Sequence, residues 1–251
     1  MLVLKLAKNN NSFKLNDEIM KTLKRVLLKL SGEALTGDGV FGITTNGLKK
    51  SVQEILPAVK KGVEVAIVLG GGNIWRGAGK EMNRVAADYI GMLATVMNAI
   101  AMREALASAG VKSVVLSAID ATQIVERYSP KKAIEYLKDG YVVLLAGGTG
   151  NPYFTTDTTA ALRAVELKAD CVLKATQVNG VYSADPKTTP NAKMFSALSF
   201  ADAIEKNLKV MDISAFALCR DNKMPIYVFN FHKKGNLLKV LSGANIGTKV
   251  Q

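Results

Sequence analysis

Residues 142–176, "VVLLAGGTGNPYFTTDTTAALRAVELKADCVLKAT", contain an apolar run that breaks into a glycine-rich turn before a helical pattern begins. Val142–Ala146 shows no polar alternation, which is typical of a parallel strand covered on both faces. Thr158–Leu167 has the periodicity of a helix, and Asp157 is a candidate N-cap. A glycine-rich turn between such a strand and such a helix presents backbone N–H groups at the positive end of the helix. The segment therefore predicts a strand–turn–helix unit that can hold an anion.

The same alternation of strands and helices extends along the chain in both directions. Apolar strand patterns lie at 25–30, 63–69, 111–116, 141–146, 171–174 and 226–230. Helical patterns lie between most of them, near 47–61, 83–109, 130–138, 158–167 and 214–222. This succession predicts an α/β fold with a mostly parallel sheet and helices on both faces. Ligands of such sheets gather beyond the carboxyl ends of the strands.

Composition limits the class of protein. The 251 residues are 49% hydrophobic and 22% charged, which suffices for a full core, and we expect one domain over residues 25–251. Cys171 and Cys219 lie in apolar segments without metal-ligand spacing, and His232 is the single histidine. These features exclude a histidine-rich metal cluster and favour a reduced, cytoplasmic protein. We find no apolar run of roughly 18 residues and no signal-peptide pattern, so we expect no membrane association.

The formal net charge of +12 favours anionic partners such as phosphate esters or nucleic acid. However, the lysines are scattered and aromatic residues make up only 6% of the chain, so no stacking platform for single strands is evident. A generally basic, solvated surface is therefore favoured over a nucleic-acid interface.

Residues 1–24 differ from the rest of the chain, because "KNNNSFKLNDEIMKTLK" (8–24) is polar and rich in lysine. Met20 opens "MKTLKRVLLKL", which would serve as a start just before the first strand. We expect an N-terminal extension here, and we hypothesise that residues 1–19 are dispensable.

Four predicted strands run into loops rich in Gly, Ser, Thr, Asn or Lys. These loops are "KLSGEALTGDGVFG" (29–42), "VLGGGNIWRGAG" (68–79), "GGTGNPYFTTD" (147–157) and "KATQVNGVYSADP" (174–186). Standard signatures are absent, since there is no P-loop, no G-x-S-x-G and no Ser/His/Asp set. "GDGVFG" (37–42) matches G-x-G-x-x-G, but it is too far from the strand and opens no helix, so we do not assign it to dinucleotide binding.

Six segments together resemble the bacterial uridylate kinases of the amino acid kinase family, over about residues 25–248. They are "KLSGEAL" (29–35), "GGGNIWRG" (70–77), "MNRVAADYIGMLATVMNAIAM" (82–102), "GTGNPYFTTD" (148–157), "LKATQVNGVYSADP" (173–186) and "KVMDISAFALCRD" (209–221). The resemblance implies a three-layer αβα sandwich with a central, mostly parallel sheet, assembled as a homohexamer. It also implies transfer of the ATP γ-phosphoryl group to UMP, with Mg²⁺, giving UDP and ADP for pyrimidine nucleotide biosynthesis.

The resemblance implies three catalytic residues. Lys29 would reach the transferring group, and Lys174 would supply a second cation from the donor side, since phosphoryl transfer needs positioning and charge stabilisation. Asp157 resembles the family aspartate that organises the lysines, and it could also cap the following helix. The alternative for both lysines is that they are solvated ends of strands.

On the acceptor side, Gly71 and Gly72 would line the gap between the two phosphates, with Arg76 adding charge nearby. Asp88 would accept hydrogen bonds from ribose hydroxyls. The UMP-binding loop would consist of Thr149, Gly150, Asn151, Pro152, Tyr153, Phe154, Thr155 and Thr156. The alternative for residues 152–154 is that they only rigidify and pack this loop.

On the donor side, the resemblance implies a larger set of ATP-binding residues. They are Lys29, Leu30, Ser31, Gly32, Gly72, Arg76, Thr176, Asn179, Tyr182 and Asp185. Asn179 stands where many relatives carry aspartate, and it removes one charge near the nucleotide. Asp212 could be either a helix N-cap or a group facing the phosphates.

Regulation is also implied, because GTP commonly activates relatives and UTP inhibits them. The matching segment for GTP consists of Gly37, Asp38, Gly39, Val40, Phe41 and Gly42. The long segment Asn83–Ala109 is apolar nearly all round, so we expect it to be buried in the core or between subunits.

Two other functions remain open at this stage. One is a kinase of the same fold that acts on carbamate, acetylglutamate or aspartate. The other is a non-catalytic, nucleotide-responsive protein that binds nucleic acid, as the net charge of +12 would allow.

Overall fold

The computed structural model describes residues 23–76, 81–186, 188–206, 208 and 210–251. Most of the expected N-terminal extension, residues 1–22, lies outside the described residues. Within them, nine strands form one sheet, in the order β4-β3-β5-β2-β1-β6-β8-β9-β7. The strands are β1 Arg25–Leu30, β2 Glu64–Leu69, β3 Ser113–Ser117, β4 Glu126–Arg127, β5 Val142–Ala146, β6 Cys171–Thr176, β7 Ala197–Leu198, β8 Ile226–Asn230 and β9 Thr248–Val250. Neighbouring strands are parallel except for β8 and β9, which are antiparallel.

Seven α-helices cover the two faces of the sheet within the described residues. They are α1 Thr45–Lys60, α2 Arg84–Ser108, α3 Pro130–Lys138, α4 Thr156–Glu166, α5 Phe200–Glu205, α6 Ile213–Asp221 and α7 Asn236–Leu241. One apolar cluster joins α1, α2 and α7 to one face, and a second joins α3, α4, α5 and α6 to the other. This arrangement confirms the expected three-layer sandwich with a mostly parallel central sheet.

The register of the central strands brings two lysines side by side. Lys29 in β1 pairs with Val68 in β2 on one side and with Lys174 in β6 on the other. Residues paired in register on parallel strands project from the same face of a sheet. Both lysines share the face that carries α4, because Leu27 and Val172, two residues earlier in each strand, pack in the α4 cluster. The sheet therefore directs two ammonium groups toward the start of that helix.

Helix α2 is the longest described helix and spans 25 residues, with Asn83 as its N-cap. Its mean hydropathy reaches 1.5 over an 18-residue window, so by length and composition it could cross a bilayer. This corrects the expectation that no segment is long and apolar enough. One face of the helix packs into the core, where Met102 and Leu106 are fully buried against the sheet.

The N-terminus of α4 differs from the sequence prediction. The helix begins at Thr156, and Thr155 is its N-cap, with a hydroxyl that accepts the N–H groups of Asp157 at 3.0 Å and Thr158 at 3.4 Å. The prediction that Asp157 caps the helix is therefore wrong. Because Asp157 lies in the first turn, its carboxylate is free to point away from the helix end and toward the sheet.

Candidate active site

Three charged side chains meet where β1, β6 and α4 converge. Lys29 Nζ lies 2.9 Å from Asp157 Oδ1, and Lys174 Nζ lies 2.6 Å from Asp157 Oδ2. The side chains of Lys29, Lys174 and Asp157 are only 13%, 10% and 15% exposed. One carboxylate therefore binds both ammonium groups, and the alternative that the lysines are solvated strand ends does not hold.

Burial and charge oppose each other in this cluster. For Asp157, burial alone would raise the pKa, but the ammonium groups of Lys29 and Lys174 outweigh it and hold the pKa below the ordinary carboxyl value. For Lys174, burial is the largest effect and lowers the pKa, although Asp157 acts in the opposite direction. The cluster as a whole carries one net positive charge in a poorly solvated place, so it is suited to attract a phosphate.

A first cleft, of about 560 Å³, opens beside Lys174 and Asp157. The segment before α6 forms its other wall, and there the backbone carbonyl of Val210 accepts a hydrogen bond from Lys174 Nζ. The remaining lining residues are Ala203, Ile204, Leu208, Met211, Asp212, Ile213 and Phe216. A mainly apolar cleft with a cation at its base fits a flat ring joined to an anionic group.

Asp212 lies at the edge of this cleft and does two things. Its carboxylate caps α6 by accepting the N–H of Ala215 at 2.7 Å. It also accepts hydrogen bonds from the hydroxyls of Thr158, at 2.9 Å, and Thr155. The structure therefore confirms Asp212 as a helix N-cap that also ties α6 to the start of α4, and its role toward phosphates stays a prediction.

A second cleft, of about 290 Å³, lies between α2 and the loop that follows β5. It is lined by Gly71, Gly72, Trp75, Arg84, Ala87, Asp88, Gly91, Met92, Thr95, Gly148, Thr149, Phe154, Thr155, Thr156 and Thr159. Thr155 and Thr156 line this cleft, whereas the next residue, Asp157, lines the first one. The charged cluster therefore stands at the boundary between two clefts.

Asp88 closes one end of the second cleft. Its carboxylate accepts the N–H of Tyr153 at 2.7 Å and pairs with Arg84 Nε at 2.8 Å. Burial alone would raise its pKa, but these two partners outweigh burial and keep the pKa below its usual value. Asp88 is therefore an ionised acceptor that also holds the loop at Tyr153.

The loop between β5 and α4 has a special backbone conformation. Gly147, Gly148 and Gly150 all have positive φ, and so does Tyr153, with φ of 71°. A side chain at Gly147 would also meet the backbone of Ile119 at 2.8 Å, so only glycine fits there. Arg163 in α4 donates to the carbonyl of Gly148, at 3.2 Å, which ties the loop back to its own helix.

The predicted donor residues lie on the neighbouring side of the sheet edge. Ser31 caps the short 3-10 helix Gly32–Leu35, and the Thr176 hydroxyl lies within hydrogen-bond distance of the Val178 and Phe229 carbonyls. Asn179 accepts from the amide of Asn230, at 3.4 Å. Tyr182 pairs with Met194 in a short antiparallel bridge. Neither Tyr182 nor Asp185 lines the two clefts, so the structure does not bring these residues onto the charged cluster.

Arg76 lies near the second cleft and is held by two groups. Its guanidinium donates to the carbonyl of Gly72, at 3.1 Å, and forms an ion pair with Glu33. Glu33 also accepts from the side chain of Gln177, at 3.0 Å. Glu33 therefore links the loops that follow β1, β2 and β6.

None of the residues Gly37–Gly42 lines either of the two clefts. Val40 and Phe41 at its tip are exposed, whereas Gly37 and Asp38 line a third cavity, of about 640 Å³, against α1 and the segment before α7. No helix begins at the second glycine of "GDGVFG", because the next helix, α1, begins only at Thr45.

The sequence model of the amino acid kinase family matches residues 24–230, which include all of the charged cluster. The chain belongs to the amino acid kinase family. Two solved structures are similar at 38% sequence identity. UMP kinase from Bacillus anthracis has a TM-score of 0.89, with 92% of this chain and 97% of that chain covered. UMP kinase from Ureaplasma parvum has a TM-score of 0.84, with 91% and 99% covered. Uridylate kinase from Archaeoglobus fulgidus is 29% identical, with a TM-score of 0.69 and coverage of 90% and 99%.

Several residues of this amino acid kinase site were not found by sequence reasoning. The Val210 carbonyl gives no sequence signal, because any residue could supply it. Glu33 lies within "KLSGEAL" and was not singled out, although a carboxylate so close to a predicted phosphate loop was a possible signal. Asn73 and Asn98 were also not considered, and Asn98 is the clearest missed signal because it interrupts an apolar helix.

Within the described ranges, no group of three or more His, Cys, Asp or Glu side chains is arranged to hold a metal ion. Asp157 forms ion pairs with two lysines, and Asp212 accepts hydrogen bonds from a helix N-terminus and from two threonine hydroxyls. Both carboxylates are therefore already bound by groups of the protein.

Proposed function

We propose that the chain is a UMP kinase, which transfers the γ-phosphoryl group of ATP to UMP and releases UDP and ADP. The observation that carries the proposal is the Lys29–Asp157–Lys174 cluster at the boundary of two clefts. A transfer between two nucleotides requires two adjoining sites with positive charge between them. Similarity at 38% identity to two UMP kinases supports this substrate pair over other substrates of the family.

UMP would occupy the second cleft. Thr149–Thr156 would bind uracil and phosphate through backbone groups and hydroxyls, and Asp88 would accept hydrogen bonds from the ribose. Gly71 would line the gap beside the acceptor phosphate, and glycine is needed there because a side chain would meet the carbonyl of Gly91 in α2 at 2.7 Å. Phe154 lines the cleft, and Tyr153 is held by Asp88, so these residues would act in binding as well as in packing.

ATP would bind across the neighbouring edge of the sheet. Its phosphates would lie near Lys29, Leu30, Ser31, Gly32, Gly72 and Arg76, and its adenosine would lie toward Thr176, Asn179, Tyr182 and Asp185. Asn179 makes this region less negative than an aspartate would. The apolar first cleft next to Lys174 adds Val210 and Met211 as candidate contacts for the base.

The chain's own residues would contribute position and charge to the transfer. Lys29 and Lys174 would stabilise the negative charge on the transferring phosphoryl group, and Asp157 would hold both ammonium groups in place. Mg²⁺ bound with ATP would neutralise part of the phosphate charge. No side chain needs to act as a strong base, because the UMP phosphate is already an anionic nucleophile near neutral pH.

We also propose that the enzyme is homohexameric and cytoplasmic, with GTP as an activator and UTP as an inhibitor. Tyr89, Leu93 and Met97 follow one another at four-residue spacing on α2 and are exposed, which supports a subunit contact on this face. Cys171 and Cys219 are free and buried, which is consistent with a reducing compartment. For GTP, the proposed segment remains Gly37–Gly42.

A coupled assay of ADP release tests the proposal directly. With ATP as donor, UMP should be a good acceptor, whereas carbamate, acetylglutamate and aspartate should give no turnover. CMP should be poor, because an amino group in place of a carbonyl leaves buried partners mismatched. Turnover with one of the amino acids or carbamate would favour another kinase of the family. No turnover at all, together with strongly salt-dependent nucleic-acid binding, would favour the binding protein.

A further inference from the structure

Two asparagines form a reciprocal amide pair inside the protein, behind the glycine loop Gly70–Gly72. Asn73 Nδ2 donates to Asn98 Oδ1 at 3.0 Å, and Asn98 Nδ2 donates to Asn73 Oδ1 at 2.8 Å. Asn73 is 1% exposed and Asn98 is 0% exposed. Neither side chain lines a cleft, so neither one is placed to touch a substrate.

The remaining donors of the pair bind the backbone of two loops. Asn98 Nδ2 also donates to the carbonyl of Gly70 at 2.7 Å, and Asn73 Nδ2 donates to the carbonyl of Gly42 at 2.8 Å. All four amide hydrogens therefore have acceptors. Gly42 returns the contact, since its N–H donates to the Asn73 carbonyl at 2.7 Å.

The pair also contacts the turn that follows β1. A Cβ atom on Gly32 would lie 2.2 Å from Asn73 Oδ1 and 2.8 Å from the Gly70 carbonyl, so this turn packs directly onto the amide. In addition, the Gly70 N–H donates to the Leu30 carbonyl at 2.9 Å. The same two side chains therefore contact both the Gly70–Gly72 loop, which is proposed to lie between the phosphates, and the turn at Gly32, which is proposed to hold the donor.

Burial of two amide side chains at this position carries an energetic cost. Asn98 lies on the buried face of α2 with Met102 and Leu106, where an apolar residue would fill the space without hydrogen bonds. Burying an amide is unfavourable unless its partners are satisfied, but a fully satisfied network selects one arrangement of the groups that it joins. Hydrogen bonds from the pair hold the Gly70 and Gly42 carbonyls, and Gly32 packs against the amide oxygen of Asn73. The pair therefore limits how far the turn at Gly32 can shift relative to the Gly70–Gly72 loop.

We infer that Asn73 and Asn98 are positioning residues, which set the separation between the Ser31–Gly32 turn and the Gly70–Gly72 loop. This inference rests on the proposed function, since that separation would fix the distance between the donor and acceptor phosphates. Helix α2 supports the other acceptor loop too, because the Thr95 hydroxyl accepts the N–H of Gly147 at 2.9 Å. Helix α2 therefore holds both loops in place, the Gly70–Gly72 loop through Asn98 and the loop after β5 through Thr95.

The test uses Asn98→Asp and Asn98→Leu in the full-length protein, with Met102→Ala as a matched control. Met102 lies one helical turn further along the same buried face and contacts neither loop through a hydrogen bond. Trp75 is the single tryptophan, lies two residues after Asn73 and lines the second cleft, so its fluorescence reports on this loop. Steady-state kinetics, thermal unfolding and Trp75 emission are measured for each protein.

The two Asn98 variants should lose about a hundredfold in kcat well below their Tm, because a small misplacement of reacting groups has effects of that order. The KM values should change much less, and Trp75 emission should shift. Met102→Ala should lower Tm while leaving kcat and Trp75 emission near wild type. For Asn98→Asp, the deficit in kcat should be smaller at pH 6 than at pH 8. Burial raises the pKa of such a carboxyl, and its protonated form can again donate to the Gly70 carbonyl.

Wild-type-like kcat and Trp75 emission in the folded Asn98 variants would overturn the inference. A loss of kcat that simply follows Tm, and that Met102→Ala reproduces, would overturn it as well. If the wild-type protein shows no UMP-dependent release of ADP, the proposed function fails instead. The fluorescence comparison then decides by itself whether the pair positions the loop.

Discussion

Replacing Lys29 with methionine would remove one of the two ammonium groups that bind Asp157. The cluster of Lys29, Lys174 and Asp157 carries a net charge of +1, so the substitution lowers the charge facing the transferring phosphoryl group to zero. Lys174 Nζ would still pair with Asp157 at 2.6 Å, and no buried carboxylate would be left alone. Methionine fills a similar volume, so we expect the fold to survive.

The expected loss is in the chemical step. Removing one preorganised donor lowers kcat by about 10²–10³, equivalent to about 2.7–4 kcal/mol of transition-state stabilisation. Binding of UMP should weaken far less, because only interactions that strengthen in the transition state accelerate the step. Asp157→Asn should also lose activity, since both lysines lose their anchor. The double variant Lys29→Met/Asp157→Asn should lose less transition-state stabilisation than the two single variants lose when added together, because the two residues act as a unit.

The assay combines coupled ADP release at saturating ATP and UMP with calorimetric titration of UMP. Circular dichroism establishes that each variant is folded. Lys60→Met, which removes an exposed lysine at the end of α1, is the matched control and should retain wild-type kcat. A folded Lys29→Met protein with near-wild-type kcat would refute the catalytic role of this ammonium group.

Three further predictions concern pH, assembly and the N-terminus. Because burial lowers the pKa of Lys174, its ammonium should lose its proton as the pH rises toward the ordinary value of 10.5, while the unfolded chain still binds that proton. As the pH rises through this range, the free energy of unfolding of the wild type should therefore increase relative to that of Lys174→Met, while the kcat of the wild type falls. A pH–rate profile that stays flat up to pH 10.5 would contradict this. Leu93→Glu should break the proposed hexamer, since it places a charge on the exposed α2 face, and light scattering that detects a stable wild-type monomer at micromolar concentration would count against the assembly. Removing residues 1–19 should leave Tm and kcat unchanged, and loss of folding or activity in that truncated protein would show that the segment is needed.

Much of the fold could be predicted because its signals are local. The bounds of β1, β8 and α3 match their sequence patterns residue for residue, and those of β2 and β5 differ by one residue. A buried strand needs a continuous apolar run, and an amphipathic helix needs its period, so both can be recognised without neighbours. The shortest elements were missed, because strands of two or three residues and helices of six carry too few positions to show a period.

The choice of cap for α4 shows where local signals are insufficient. Thr155 and Asp157 are both favourable N-cap residues, and the sequence offers no means to choose between them. The structure places Thr155 at the cap because Asp157 is held by two lysines from the sheet. A tertiary ion pair therefore decides a local capping question.

The α/β class, the order of the main elements and the four polar loops at the strand ends can be predicted from local patterns, because each depends on residues that are close along the chain. The position of β1 beside β6, in a register that pairs Lys29 with Lys174, is set by tertiary folding. Tertiary folding also brings Asn98 of α2 to Asn73 and the glycine loop. Such contacts join segments that are far apart in the chain. Their geometry depends on the order of strands in the sheet and on helix packing, and neither produces a periodic residue pattern that could be recognised in the sequence.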